Sequence, residues 1–196
     1  MSVVPMLANA SPWAFQAHPE VWFLVLAIVG LGWWASHIGT RVLPVGVPVA
    51  TPFQKRAFGL AVVMLLLSAD WPVHDIAEEH LYSVHMLQHM SITMFVPPLF
   101  LLATPAWLAR LVILEGGVSS KVLRRMSNPV VAGVLFNALV ALTHWNGVVR
   151  LSAENGAFHY MAHLAIFTSA LMMWMPVVSP IREHRLGPPG QMLYLF

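Results

Sequence analysis

The chain has 196 residues, of which 58% are hydrophobic and 9% charged, with a formal net charge of +2 and a mean hydropathy of +0.72. Soluble domains carry roughly 25% charged residues, so this composition excludes a water-soluble fold and identifies an integral membrane protein. With no cysteine, disulfides, thiolate metal sites and cysteine nucleophiles are excluded, and so small a net charge argues against a nucleic-acid partner.

The first twenty residues lack both a basic region and a long apolar core, so no cleavable signal peptide is expected. Spanning the hydrocarbon takes roughly 17–25 apolar residues in a helix, and five stretches approach or reach that length: Pro19–Ser36, Arg56–Val73, Val84–Ala103, Pro129–Trp145 and Phe158–Val178. Asp70 and Trp71 close the second early. The third contains Pro97 and Pro98, whose missing amides force a kink unless neighbours compensate. Following Pro105, a stretch mixing apolar residues with Arg110, Lys121, Arg124 and Arg125 is expected to lie along the membrane surface. Trp13, Trp22, Trp71, Trp107 and Trp145 fall near expected interfaces, as belt tryptophans do. The chain stops at "GQMLYLF", which reads as the opening of a sixth apolar segment cut short. The expected fold is therefore an all-α polytopic helical bundle of five full spans plus the start of a sixth. It forms a single domain over residues 1–196 that is truncated at its C-terminus.

Lys and Arg accumulate in short cytoplasmic loops. Here nine of the ten fall on one side: Arg41, Lys55 and Arg56 after the first segment, Arg110, Lys121, Arg124 and Arg125 after the third, Arg182 and Arg185 after the fifth. Arg150 alone falls opposite, which places the N-terminus outside. Histidine partitions the other way. His18, His74, His80, His85, His89, His144, His159 and His163 map to the outer side, along with Asp70, Asp75, Glu78 and Glu79, leaving His37 and His184 inside.

Residues 80–90 read "HLYSVHMLQHM". His85 and His89 are four apart, so they share one helix face a turn from each other. "FHYMAH" repeats the device with His159 and His163, and His144 in "ALTHWNG" ends the fourth segment at the same surface. Five histidines on three helices thus share one depth, a coincidence that hydrophobic periodicity does not require. A lone histidine in a membrane helix most often makes an interhelical hydrogen bond; two such pairs and a fifth ring favour a metal site. Imidazole suits copper, zinc and iron. Met86 and Met90 add soft thioether sulfur of the kind that favours Cu(I), although methionine is also ordinary core filler. Gln88, Tyr160 and Asn146 are candidates to orient the imidazoles. The acidic loop from His74 to His80 reads as a solvated connector. There is no glycine-rich phosphate loop, no nucleophile elbow and no zinc-protease motif.

"SVHMLQHM" followed by "VPPLFLLATP", then "THWNGVV", then "FHYMAHLAIFTSALMMWMPVVSP", an arginine loop and a Leu-Tyr-Leu helix resembles, in order, the pattern of the CtaG-type cytochrome c oxidase assembly factors of bacteria. Members commonly carry proline after the His-Trp pair, where Asn146 stands here. The resemblance implies a non-enzymatic, multispanning protein of the bacterial plasma membrane. Such a protein would meet cytochrome c oxidase subunits in the lipid bilayer and act in maturing the oxidase, at the stage where copper is inserted. The family's histidines fall on His85, His89, His144, His159 and His163; their role as metal ligands follows from spacing. Two other readings stay open. One is a membrane haem protein, with haem held between His85 or His89 and His159 or His163, serving as an electron carrier or quinone oxidoreductase. The other is a metal-free scaffold for oxidase subunits.

Overall fold

The computed structural model describes residues 15–113 and 117–195, all-helical with no strand among them; Trp13 lies outside the described residues. α1 (Pro19–Val42) and α2 (Pro52–Ala69) form a first antiparallel pair. α3 (Val73–Glu79) is a short connector leading to α4 (Tyr82–Met90), which continues through a π-helical turn (Ser91–Phe95) into α5 (Val96–Ala103). The short α6 (Ala106–Ile113) and α7 (Val118–Met126) precede α8 (Pro129–Thr143) and α9 (Asn146–Glu154). The long α10 (Gly156–Val178) is followed by α11 (Pro188–Leu195).

Four helical runs are long and apolar enough to cross a membrane: Pro19–Val42, Pro52–Ala69, Tyr82–Ala103 and Gly156–Val178. The fourth expected segment differs. α8 has 15 residues, about 22 Å at 1.5 Å per residue, against a hydrocarbon thickness of about 30 Å. It is bent by 69° from the helix before it, and only if that bent pair is one broken span does the number reach five. Pro129 and the Asn128 cap explain the break: the Asn128 side chain accepts from the Val130 and Val131 amides and starts a new helix there.

α2 starts four residues before its expected first residue because Thr51 builds a capping box. Its hydroxyl accepts from the Gln54 amide at 3.2 Å, and its own amide donates to Gln54 Oε1 at 2.8 Å. Thr51→Ala is expected to destabilise the protein by about 1 kcal/mol, read as a lowered midpoint of thermal unfolding in detergent. An unchanged midpoint would show that the cap contributes nothing.

At Pro97 and Pro98 a distant residue supplies the compensation that the expected kink was conditional on, and the run Tyr82–Ala103 continues as one span. Pro97 has no amide to offer the Thr93 carbonyl one turn back; Trp174 of α10 donates its indole N–H to that carbonyl at 3.0 Å instead. The ladder slips into π register here, with the Val96 amide reaching Ser91 O. α2 packs along α5, α10 packs on both α5 and α8, and α1 leans on α2. The core is centred on Phe136, Ile166 and Ala170 with Met94, Val140 and Met173 against it. Many buried positions are small (Ala35, Ala57, Ala61, Ala103, Ala132, Ser169), which lets helices approach where lipid tails supply no hydrophobic drive.

The two ends of the bundle differ chemically. At one end Trp107 donates to Val49 O at 2.9 Å, Arg110 pairs with Glu183 at 2.9 Å, and Arg124 lies 3.3 Å from His184. The Glu183 carboxyl is held below the ordinary range first by a hydrogen bond from its own backbone amide, then by Arg110. This exposed contact is therefore intact at neutral pH and is lost only on acidification. At the other end stand histidines.

Candidate functional site

Four elements bring the site together. α4 carries His85 and His89 in successive turns, and their Nε2 atoms meet at 3.0 Å, one donating and the other accepting. Asn155 caps α10 by accepting from the Phe158 amide, which sets His159 and His163 in its first two turns. α8 ends at His144, whose Nδ1 lies 2.7 Å from Val140 O. A carbonyl only accepts, so Nδ1 carries the proton and Nε2 is left with its lone pair. α9 closes this end, and its Ser152 hydroxyl lies 3.0 Å from His159 Nδ1.

Ring contacts link all five expected histidines into one chain. Centroids are 4.5 Å apart for His85 and His89, 4.9 Å for His89 and His163, 5.6 Å for His89 and His144, and 4.5 Å for His159 and His163. His89 is the hub. The rings lie face or edge against one another, and among the described residues no three or more His, Asp or Glu side chains surround a common point ready to hold a metal ion. Met86 is half-buried one residue from the His85 ring's own position, while Met90 is 53% exposed on the flank of α4. Asn146 is exposed at the start of α9, and Tyr160 contacts His159 edge-on at 5.8 Å while donating to Glu20 at 2.5 Å.

The structure extends the row beyond the expected five. His74, assigned from sequence to a solvated connector, is half-buried on α3, 6.2 Å from His159. It continues to His18, 4.8 Å away and edge-on. His18 Nε2 donates to Asp75 Oδ1 at 2.7 Å, and Asp75 is itself buried. Gln88, a candidate to orient the imidazoles of the five-histidine set, meets His74 instead: its amide nitrogen lies 3.0 Å from His74 Nδ1 and donates to Ser68 O at 2.8 Å. Two oxygens here are buried without a hydrogen-bond partner, Asp75 Oδ2 and Gln88 Oε1. No sequence signal ties His18 to Asp75, 57 residues apart. For His74 there was one: it falls on the outer side with the other histidines, beside the acidic Asp75.

The family model of the cytochrome c oxidase caa3 assembly factors matches residues 32–196. The chain belongs to this family. The matched stretch of the caa3 assembly factor contains His74, His85, His89, His144, His159 and His163, and His18 precedes it. No curated protein and no solved structure matches the chain.

Proposed function

We propose that this caa3 assembly factor is non-enzymatic, that it takes up copper through the imidazoles of its histidine end, and that it passes the ion to an oxidase subunit in a bacterial plasma membrane. The observation that carries this reading is the His85–His89 pair, with nitrogens 3.0 Å apart. A first-row metal about 2.0–2.1 Å from each of two tetrahedral imidazole nitrogens separates them by about 3.3 Å. Holding an ion between them therefore takes a small ring rotation and a tautomer shift that moves the donor ring's proton from Nε2 to Nδ1. His163, stacked on His89, and His144, with its Nε2 lone pair, are next in reach; His159, Met86 and Met90 complete the candidate donors. Ligands that close round the ion by rotation suit a cargo that must leave again. The site lies opposite the end that carries nine of the ten basic residues, so the positive-inside rule puts it, and the N-terminus, outside. α8 with the helix before it then serves as a broken fifth span.

Deleting the gene from its host is expected to leave the oxidase polypeptides in the membrane but inactive and poor in copper. A copper-replete oxidase in the deletion strain refutes the copper step. Protein purified from copper-replete membranes is expected to retain copper and to lack a Soret band; a Soret band with sharp reduced α-bands would assign the rings to haem instead.

A further inference from the structure

The arginine end carries a basic hollow that plays no part in the copper reading. α7 bears Lys121, Arg124 and Arg125, and spacings of three and four residues set their side chains on one helix face. All three are exposed, while Leu123 and Met126 are half-buried. With Asn128, Val130 and Val131 the three cations line an open hollow of about 560 Å³ between α7 and the start of α8. Among the described residues no carboxylate lines it. The Arg124 guanidinium donates to His184 Nε2 at 3.3 Å, and a nitrogen that accepts through its lone pair leaves the charge of Arg124 uncancelled.

The helices place this hollow at the membrane surface. α7 is bent by 69° from α8, so with α8 crossing the bilayer α7 runs closer to parallel with the surface than perpendicular to it. Val130 and Val131 are exposed in the first turn of α8, where the chain enters the hydrocarbon. Fixed positive charge and bare apolar surface thus stand side by side. The start of α8 adds the positive end of its dipole, while its Val130 and Val131 amides are already held by Asn128. That combination selects the occupant. Inorganic phosphate or an acidic peptide would engage the cations and bring no acyl chain to the valines. A zwitterionic phospholipid carries its own ammonium, which three cations repel. An anionic phospholipid matches both parts, since Lys and Arg pair with its phosphate and basic clusters draw such lipids at the membrane surface.

We propose that this hollow binds an anionic phospholipid, its phosphate held by Lys121, Arg124 and Arg125 and an acyl chain laid on Val130 and Val131. On the orientation proposed above, the lipid belongs to the cytoplasmic leaflet. Binding ties the bent α7–α8 pair to the membrane surface. It does not depend on copper or on the histidine end.

The test uses the full chain in a non-ionic detergent. The probes are phosphatidylglycerol and phosphatidylcholine with the same acyl chains, and native mass spectrometry reads the lipid retained. Phosphatidylglycerol is expected to bind at least about tenfold more tightly than phosphatidylcholine. Replacing Lys121, Arg124 and Arg125 together by glutamine is expected to abolish that preference. Replacing Arg41, Lys55 and Arg56 by glutamine removes the same charge at the same end, and is expected to keep it. Val130→Glu sets a carboxylate into the hollow at a position where the helix dipole favours one, and is expected to weaken phosphatidylglycerol alone. Should the Lys121/Arg124/Arg125 variant not fold, the preference of the wild-type protein and the Val130→Glu result decide by themselves. Equal affinity for the two lipids, equal loss in the two triple variants, or phosphatidylglycerol binding indifferent to Val130→Glu would each overturn the proposal. So would displacement of the lipid by inorganic phosphate or by an oligoglutamate peptide at matched charge.

Discussion

Replacing His85 and His89 together by alanine is expected to lower affinity for Cu(I) by at least about 100-fold, since loss of a partner that merely orients a ligand already costs about 10–100-fold. The two rings share a nitrogen–nitrogen contact of 3.0 Å, and His89 is the ring on which His144 and His163 converge. Without them the remaining imidazoles have no hub. Alanine is the best helix former, so α4 is expected to persist, checked by an unchanged elution volume in detergent. Competition against a chromogenic Cu(I) chelator gives the affinity. The matched control is His37→Ala with His184→Ala at the arginine end, expected to leave binding unchanged. Equal stoichiometry and affinity in the His85/His89 variant and the wild type would sink the copper reading.

Gly39→Leu is expected to be among the most destabilising single changes in the protein, at about 3 kcal/mol, the upper range for overpacking, or roughly 6–12 °C in Tm. α1 crosses closest to the loop after it at this residue. A Cβ here would lie 2.4 Å from Val49 Cγ1 and 2.8 Å from Trp107 Cζ2. Neither neighbour gives way readily, because the Trp107 indole is tied to the Val49 carbonyl at 2.9 Å. Gly30 on the same helix has nothing within 4 Å of its Cβ position, so Gly30→Leu changes the same residue type in the same helix with no clash at Cβ. Equal melting of the two variants would show that the close approach at Gly39 does not hold α1 in place.

The sequence by itself determined the class of protein, the positions of the long helices and the shared depth of His85, His89, His144, His159 and His163. These are one-dimensional properties. A membrane of fixed thickness demands apolar runs of fixed length, and a spacing of four residues puts two rings on one helix face whatever lies beside it. That is why the histidine pairs were legible before any fold was known, and why the ordered motifs carried the resemblance to the family. Helix boundaries were less legible, since they turn on local bonds such as the Thr51–Gln54 box and the Asn128 cap, which move a start by a turn.

Only the tertiary structure decided which groups meet. His74 joined the row because α3 is folded back between α2 and α4, and His18 followed because Asp75, 57 residues away, accepts its proton. The span runs on through Pro97 because Trp174 supplies the hydrogen bond that Pro97 lacks, across 81 residues. A cavity lies between α1 and the faces of α2, α5 and α10 because α1, pinned near its ends by Asp70, Asp75 and Tyr160 on one side and by Val49 and Trp107 on the other, bridges the space between. Periodicity says which face of a helix is apolar but not which helix it meets. The orphaned oxygen of Gln88 is invisible until the partners of its amide nitrogen are known.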